Sequence, residues 1–254
     1  MADTNKELAI AHTGFAIVDQ PAAKETMMQA FDQLGITENL LQRIKVPTGG
    51  MSAFQVEELD GPQVYQHIDV ILIAIKGRQK AWWASSLEDS GGGAPPTCVS
   101  KDGIHGVGNN TVDADAPITK HLCAECPWDQ YGSSRFGGSK GKDCKDYSLL
   151  FFFRNGNRIP SVMTVPATSL KGLQNYILRL IDNGKRFEGV VTRLSLDQTQ
   201  NASGITYSKV AFGFESDLDP ASANRMVDIG KDFLSRISEY DSFSKSTPAE
   251  EGEI

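Results

Sequence analysis

Thr168-Ser-Leu-Lys-Gly-Leu-Gln-Asn-Tyr-Ile-Leu-Arg-Leu-Ile-Asp-Asn183-Gly184 carries the strongest helix signal in the chain. Leu173, Tyr176, Ile177, Leu180 and Ile181 recur at spacings of three and four, which aligns them on one face. A hydroxyl of Thr168 or Ser169 can cap the start, and Gly184 stops the end. Strand-like sequence lies on both sides. Upstream, Tyr147–Arg154, a turn at Asn155-Gly-Asn157 and Ser161–Val165 predict a hairpin. Alternation assigns Leu149, Phe151 and Phe153 to its core face, and Phe152 to the face of Leu150 and Arg154. Downstream, Gly189–Leu196 and Ile205–Phe214 predict two strands joined by the polar loop Asp197–Gly204. Earlier still, Val64–Lys76 predicts a long strand, Gly77–Lys80 a turn and Ala81–Ala84 a further strand. A helix set between the third and fourth of five strands is the order of an OB barrel. The expected class is therefore α+β, mainly β, with an OB-like core over residues 42–215.

Helical segments flank this core. Residues 1–41 form an N-terminal helical segment with a helix from Ala22 to Leu34 that sets Met27, Met28, Phe31 and Leu34 on one side, and a short helix is expected at Glu38–Gln42. Asp219-Pro220 opens a closing helix over 216–240 with Met226, Ile229, Phe233, Leu234 and Ile237 on one face. Residues 241–254 are polar and acidic, the composition of a disordered tail. Among 254 residues, 40 % are hydrophobic and 22 % charged, an ordinary balance for a water-soluble chain. The longest apolar run, Val70–Ile75, is strand-sized rather than membrane-sized, and residues 1–20 lack the pattern of a secretory signal. A cytoplasmic protein is expected.

All four cysteines fall within an insertion at 98–144, spaced C-x24-C-x2-C-x17-C. The residues between them are mostly Gly, Ser, Pro and charges, which cannot offset their ordering entropy by burial. A structural zinc ion on Cys98, Cys123, Cys126 and Cys144 would supply the missing restraint, with His105 and His121 as reserve ligands. Two disulfides, a Cys-x-x-Cys redox pair and four unrelated buried thiols are the alternatives.

The net charge of −7 is unevenly distributed. From Tyr131 to Arg158 there are six Lys or Arg against two acids, whereas from Glu239 onward five acids face Lys245 alone. OB barrels hold single strands by combining a basic groove with aromatic faces on which bases stack. The candidates for such contacts are Arg78, Lys80, Trp82, Trp83, Trp128, Tyr131, Arg135, Phe136, Lys140, Lys142, Lys145, Tyr147, Phe152, Arg154 and Arg158. Lys142 is followed by Asp143, which breaks the order a Walker phosphate loop needs. No H-E-x-x-H or nucleophile elbow is present, so a non-enzymatic binding protein is expected, with a metal-dependent nuclease as a minor alternative. The acidic tail, with Glu250, Glu251 and Glu253, can compete for a basic groove or recruit basic partners. A zinc-stabilised interaction module is the other reading of the same residues.

The layout of zinc-bearing core, strand-rich barrel and acidic C-terminus resembles the single-stranded-DNA-binding (helix-destabilising) proteins of tailed phages. Pro-Pro-Thr-Cys98-Val-Ser-Lys-Asp102-Gly103, Cys123-Ala-Glu-Cys126-Pro, Gly141-Lys-Asp-Cys144 and Val165-Pro-Ala-Thr-Ser169-Leu-Lys171 are also similar to an uncharacterised phage and prophage four-cysteine family, over roughly residues 65–215. The first resemblance implies coating of single strands during phage replication or recombination in a bacterial cytoplasm, with self-association and tail-mediated partners. The metal set of its best-known member includes a histidine, whereas four cysteines are present here.

Overall fold

A computed structural model describes residues 14–243 apart from 20–21, 36–39, 48, 86–94, 114–115, 136–140 and 201–203. Its helices are α1 (Ala16–Asp19), α2 (Ala23–Leu34), α3 (Ala167–Asp182) and α4 (Pro220–Phe243). Its strands are β1 (Arg43–Ile44), β2 (Phe54–Glu58), β3 (Gly61–Tyr65), β4 (His67–Trp82), β5 (Cys98–Ser100), β6 (His105–Gly108), β7 (Thr119–Leu122), β8 (Lys145–Arg154), β9 (Ser161–Pro166), β10 (Val190–Gln200) and β11 (Thr206–Asp217). The class is α+β with most of the order in strands, as expected.

Strand β4 is the spine of the main sheet. It pairs with β8 along its length, with β10 near its start and with β5 near its end. One half of the sheet therefore runs β11-β10-β4-β8-β9-β1, all antiparallel except the short β1–β9 pair. The other half carries β5, β6 and β7 outward from the end of β4. The turn expected at Gly77–Lys80 is instead a bulge, and the two strands predicted around it are one. A bulge lets a strand bend without ending, because the pairing resumes beyond the extra residues.

No strand pair closes this sheet into a barrel among the described residues. Where β9 and the start of β11 face one another, a cavity of about 610 Å³ lies between them, lined in part by Arg43, Lys45, Thr164 and Tyr207.

Around the first half of β4 both faces of the sheet are covered, which explains why Val70–Ala74 is apolar throughout rather than alternating. Ile71, Ile73, Leu149, Phe151 and Phe153 face α2 and α4, against Met27, Phe31, Met226, Ile229 and Phe233. Val70, Leu72, Leu150, Phe152, Met163 and Leu194 face α3 and the β2–β3 hairpin. From α3 the buried apolar residues are Leu173, Tyr176 and Leu180, whereas Ile181, expected in the same stripe, is 62 % exposed. No hydroxyl caps the start of α3. Ser169 is fully buried, and its Oγ accepts the Val210 amide of β11 at 2.9 Å, so it ties helix to sheet instead. At the start of α4, Asp219 does cap, accepting the amides of Ala221 and Ser222 at 3.0 Å each. Among the described residues no helix is long and apolar enough to cross a membrane.

Candidate functional site

The strands of the insertion bring its cysteines together. Cys98 opens β5, Cys123 and Cys126 bracket a single helical turn after β7, and Cys144 immediately precedes β8. All four are uncrosslinked and buried, and all four line one cavity of about 10 Å³. His121 lines it too, with Nε2 3.6 Å from the Cys98 Sγ. Its buried Nδ1 has no hydrogen-bond partner among the described residues. Gly106 lies opposite His121 in the β6–β7 ladder. A Cβ there would stand 2.6 Å from the His121 Nε2 and 3.0 Å from the Cys98 Sγ, so the approach of these two groups requires a residue without a side chain.

Burial pushes the Cys98 thiol up to about 11, reinforced by Cys126 and Cys123, and pushes Cys144 up to about 12, reinforced by Asp129. Cys123 is raised as well, chiefly by burial. As placed, no three His, Cys, Asp or Glu side chains among the described residues form a group that could hold a metal ion. The site is thus a convergence of four thiols and an imidazole nitrogen, looser than a coordination shell. His105 does not line the cavity. Its Nδ1 lies 2.9 Å from Asp102, whose carboxyl is held well below the usual range by hydrogen bonds from the His105 backbone and ring and from the Ile104 amide.

Several residues expected to meet a nucleic acid build the walls of this cavity. Trp82 stacks on Trp128 with centroids 5.0 Å apart and planes at 11°. The Arg135 guanidinium lies 5.0 and 4.8 Å from the two ring centroids. It also donates to Asp143 Oδ2 at 2.7 Å and to the carbonyls of Ala84 and Trp83. Asp143 accepts the Trp82 indole N–H at 2.8 Å, and Trp128 donates to the Asn110 carbonyl at 2.7 Å. Lys80 pairs with Asp129 and Asp146 at 2.8 Å, and Lys142 pairs with the same two acids at 2.7 Å. Burial works against the Lys80 charge, but the hydrogen bonds to Asp129 and Asp146 outweigh it and hold its pKa above the usual lysine range.

Three further expectations are corrected. Phe152 is fully buried against α3, because β8 is covered on both faces, and it offers no surface for stacking. Arg154 is 6 % exposed and ion-paired with Glu58 at 2.5 Å, an arrangement that locks the β2–β3 hairpin to β8. Trp82, at 1 % exposure, is likewise closed to a ligand. Arg78, Tyr131, Lys145 and Arg158 remain exposed, and Trp83, Trp128 and Tyr147 are half-buried. Phe136, Lys140, Glu250, Glu251 and Glu253 lie outside the described residues.

Arg78 has an unusual conformation. It is the one non-glycine residue at positive φ (56°) among the described residues, and it sits in the β4 bulge. Gln79, 6 % exposed, anchors the bulge by donating to Lys101 O at 2.6 Å. This strain has no signature in a single sequence. Nor do the acids Asp129, Asp143 and Asp146, whose part is to neutralise the insertion's cations rather than to repel a ligand. No protein-family model, no curated protein and no solved structure matches this chain.

Proposed function

We propose that this chain is a non-enzymatic single-stranded-DNA-binding protein of phage type, in which a structural zinc ion holds the insertion beside an OB-like core. The pairing order β11-β10-β4-β8-β9 with α3 between β9 and β10 supports the OB-like part of the reading. It is the strand order of that fold with the seam between its third and fifth strands unpaired among the described residues. The insertion then occupies the loop between the first and second strands, a loop that in OB folds borders the oligonucleotide surface. Exposed Arg78, Lys101, Tyr131 and Lys145 lie in or beside it.

The observation that carries the zinc is the smallness of the insertion's own apolar cluster. Among the described residues it comprises Cys98, Cys144 and Trp128, packed with Trp82 and Ala84 from the end of β4 and just beyond it. Ile104, Val107, Ile118 and Leu122 are spent on the outside, at 42–78 % exposure. Burial on that scale does not offset the ordering of a segment of this length, and a divalent ion on four thiolates would. Cys98, Cys123, Cys126 and Cys144 would hold it, and the cost of deprotonating buried thiols would be met by the ion's charge. The acidic tail would recruit replication or recombination proteins, and the bound chains would self-associate along the strand.

Exposed Val107 and Leu122 on the β6–β7 ribbon, with β7 at the sheet edge, favour a second reading as a zinc-stabilised interaction module. Binding to labelled oligo-dT across a salt series separates the two. With about four phosphate contacts the slope of log K against log salt is near −2.8, a loss of about 50-fold between 50 and 200 mM. No binding at low salt, or binding indifferent to salt, refutes the strand-coating reading. Metal content on the same sample is expected at about one zinc per chain; metal-free protein with an intact fold refutes the zinc.

A further inference from the structure

A second candidate ligand site lies away from the insertion, between the last turn of α3 and the far half of β11. A cavity of about 320 Å³ there is lined by Tyr176, Arg179, Asn183, Lys185, Phe212 and Phe214, among others. Its floor is aromatic: Tyr176 and Phe212 stack with centroids 6.1 Å apart, and the Tyr176 hydroxyl is fixed to Thr192 Oγ1 at 2.7 Å. Phe214 is 47 % exposed at its rim. Lys185 stands 5.0 Å over that ring while paired with Asp217. Arg179 is exposed and makes no ion pair among the described residues. Asn183, which also lines the cavity, donates its side-chain amide N–H to Arg179 O at 2.8 Å, so its side-chain oxygen is not used in that bond.

We propose that this cavity binds one nucleoside monophosphate unit, with the base against Phe214 and the phosphate on Arg179. A ring-lined pocket of this size suits a mononucleotide. A guanidinium with no acid partner is a fork that matches phosphate geometry. Phe214, 47 % exposed, supplies a stacking surface that tolerates any base, and the Asn183 side-chain oxygen can accept from a base amino group. The site is independent of the insertion, so it stands whether or not the zinc reading does.

Equilibrium binding of dTMP to the full chain tests it, with thymidine and inorganic phosphate as partial probes. A dissociation constant between about 10 µM and 1 mM is expected for dTMP, with each partial probe weaker. Stacking on an aromatic is worth about 5- to 150-fold by alanine substitution, so Phe214→Ala weakens dTMP by that order. Arg179→Ser weakens dTMP at least tenfold and leaves thymidine unchanged. Both side chains are exposed, so the unfolding midpoint of each variant matches the wild type, which separates lost binding from lost fold. If Phe214→Ala also weakens oligo-dT, the site holds a nucleotide of the strand; if it weakens dTMP alone, the ligand is free nucleotide. Absence of dTMP binding at 10 mM, or binding that ignores both substitutions, overturns the site. A protein that takes dTMP but not oligo-dT refutes the strand-coating function and leaves this inference intact.

Discussion

Two helix glycines are expected to respond to alanine with opposite signs. Gly230 lies in α4, where that helix crosses β4, and a Cβ at this position would fall 2.1 Å from the Ile73 carbonyl oxygen. Contacts under 3.0 Å are not tolerated, so α4 must retreat by at least 0.9 Å. Met226, Ile229, Phe233 and Ile237 of the same helix are 0–1 % exposed. Burial of four such side chains is worth roughly 6–12 kcal/mol, and a gap approaching 1 Å forfeits a quarter or more of the contact energy. The loss is about 2–3 kcal/mol, against a gain of about 1 kcal/mol from replacing glycine within a helix. Gly230→Ala should therefore destabilise by about 1–2 kcal/mol. Gly172 in α3 meets nothing nearer than Val210 O at 3.7 Å, an ordinary contact, so Gly172→Ala keeps only the propensity gain. With a urea m-value of about 2–3 kcal/mol/M for a chain of this size, the midpoint should fall by about 0.5 M for Gly230→Ala and rise by about 0.3 M for Gly172→Ala. A Gly230→Ala protein as stable as the wild type would refute the packing of α4 on β4.

The Glu58–Arg154 pair predicts acid sensitivity. The Arg154 hydrogen bond, helped by Tyr65, holds the Glu58 carboxyl below its usual range in the folded chain. A depressed pKa means the folded state binds fewer protons, so this stability is present above the unfolded carboxylate range near 4.3 and is lost as pH falls through the folded value. Urea midpoints at pH 7 should show Glu58→Gln destabilised by about 1–2 kcal/mol, with the gap to wild type closing below about pH 4; a gap constant with pH refutes the assignment. At Arg78, glycine relieves a left-handed residue that costs a side-chain-bearing amino acid about 1–2 kcal/mol. Arg78→Gly should thus unfold no earlier than wild type, yet reduce the oligo-dT salt slope by about 0.7, one phosphate contact. An unchanged slope removes Arg78 from the ligand surface.

Legibility in the sequence followed the kind of force at work. The apolar periodicity of Leu173, Tyr176 and Leu180, and of Leu149, Phe151 and Phe153, marks the two cores because burial is local to an element and repeats with its period. The order of strands and helix around α3 is readable for the same reason. Phe152 was ambiguous because period alone does not tell a half-covered sheet from one with helices on both faces. The cations of the insertion misled for a different reason. Lys80, Lys142 and Arg135 are spent on Asp129, Asp146 and Asp143, pairings across 4–66 positions of chain, most of which a local count of charge cannot see. Trp82 and Trp128, 46 residues apart in number, likewise find each other only through the fold.

The continuity of β4 gives those pairings a consequence. Its first half, at Val70, lies between Arg154 of β8 and Thr192 of β10, within the two helix-covered cores. Its second half, at Lys80, lies between Asp146 of β8 and Ser100 of β5, at the cysteine cavity. The bulge at Gly77 and Arg78 is the joint between the two, and it is held from the insertion side by Gln79 on Lys101. Gly103 packs on the same joint, where a Cβ would meet Arg78 O at 2.8 Å. Whatever fixes the loop after Cys98 therefore fixes the backbone from which Arg78 projects. An insertion that loosens should free this joint first, while Ile71, Leu72 and the residues of β8 that cover them stay buried. Amide exchange would then rise at 77–80 and 98–108 before it rises in the first half of β4. Simultaneous exchange of both halves would mean that insertion and core form one cooperative unit, and that the bulge insulates nothing.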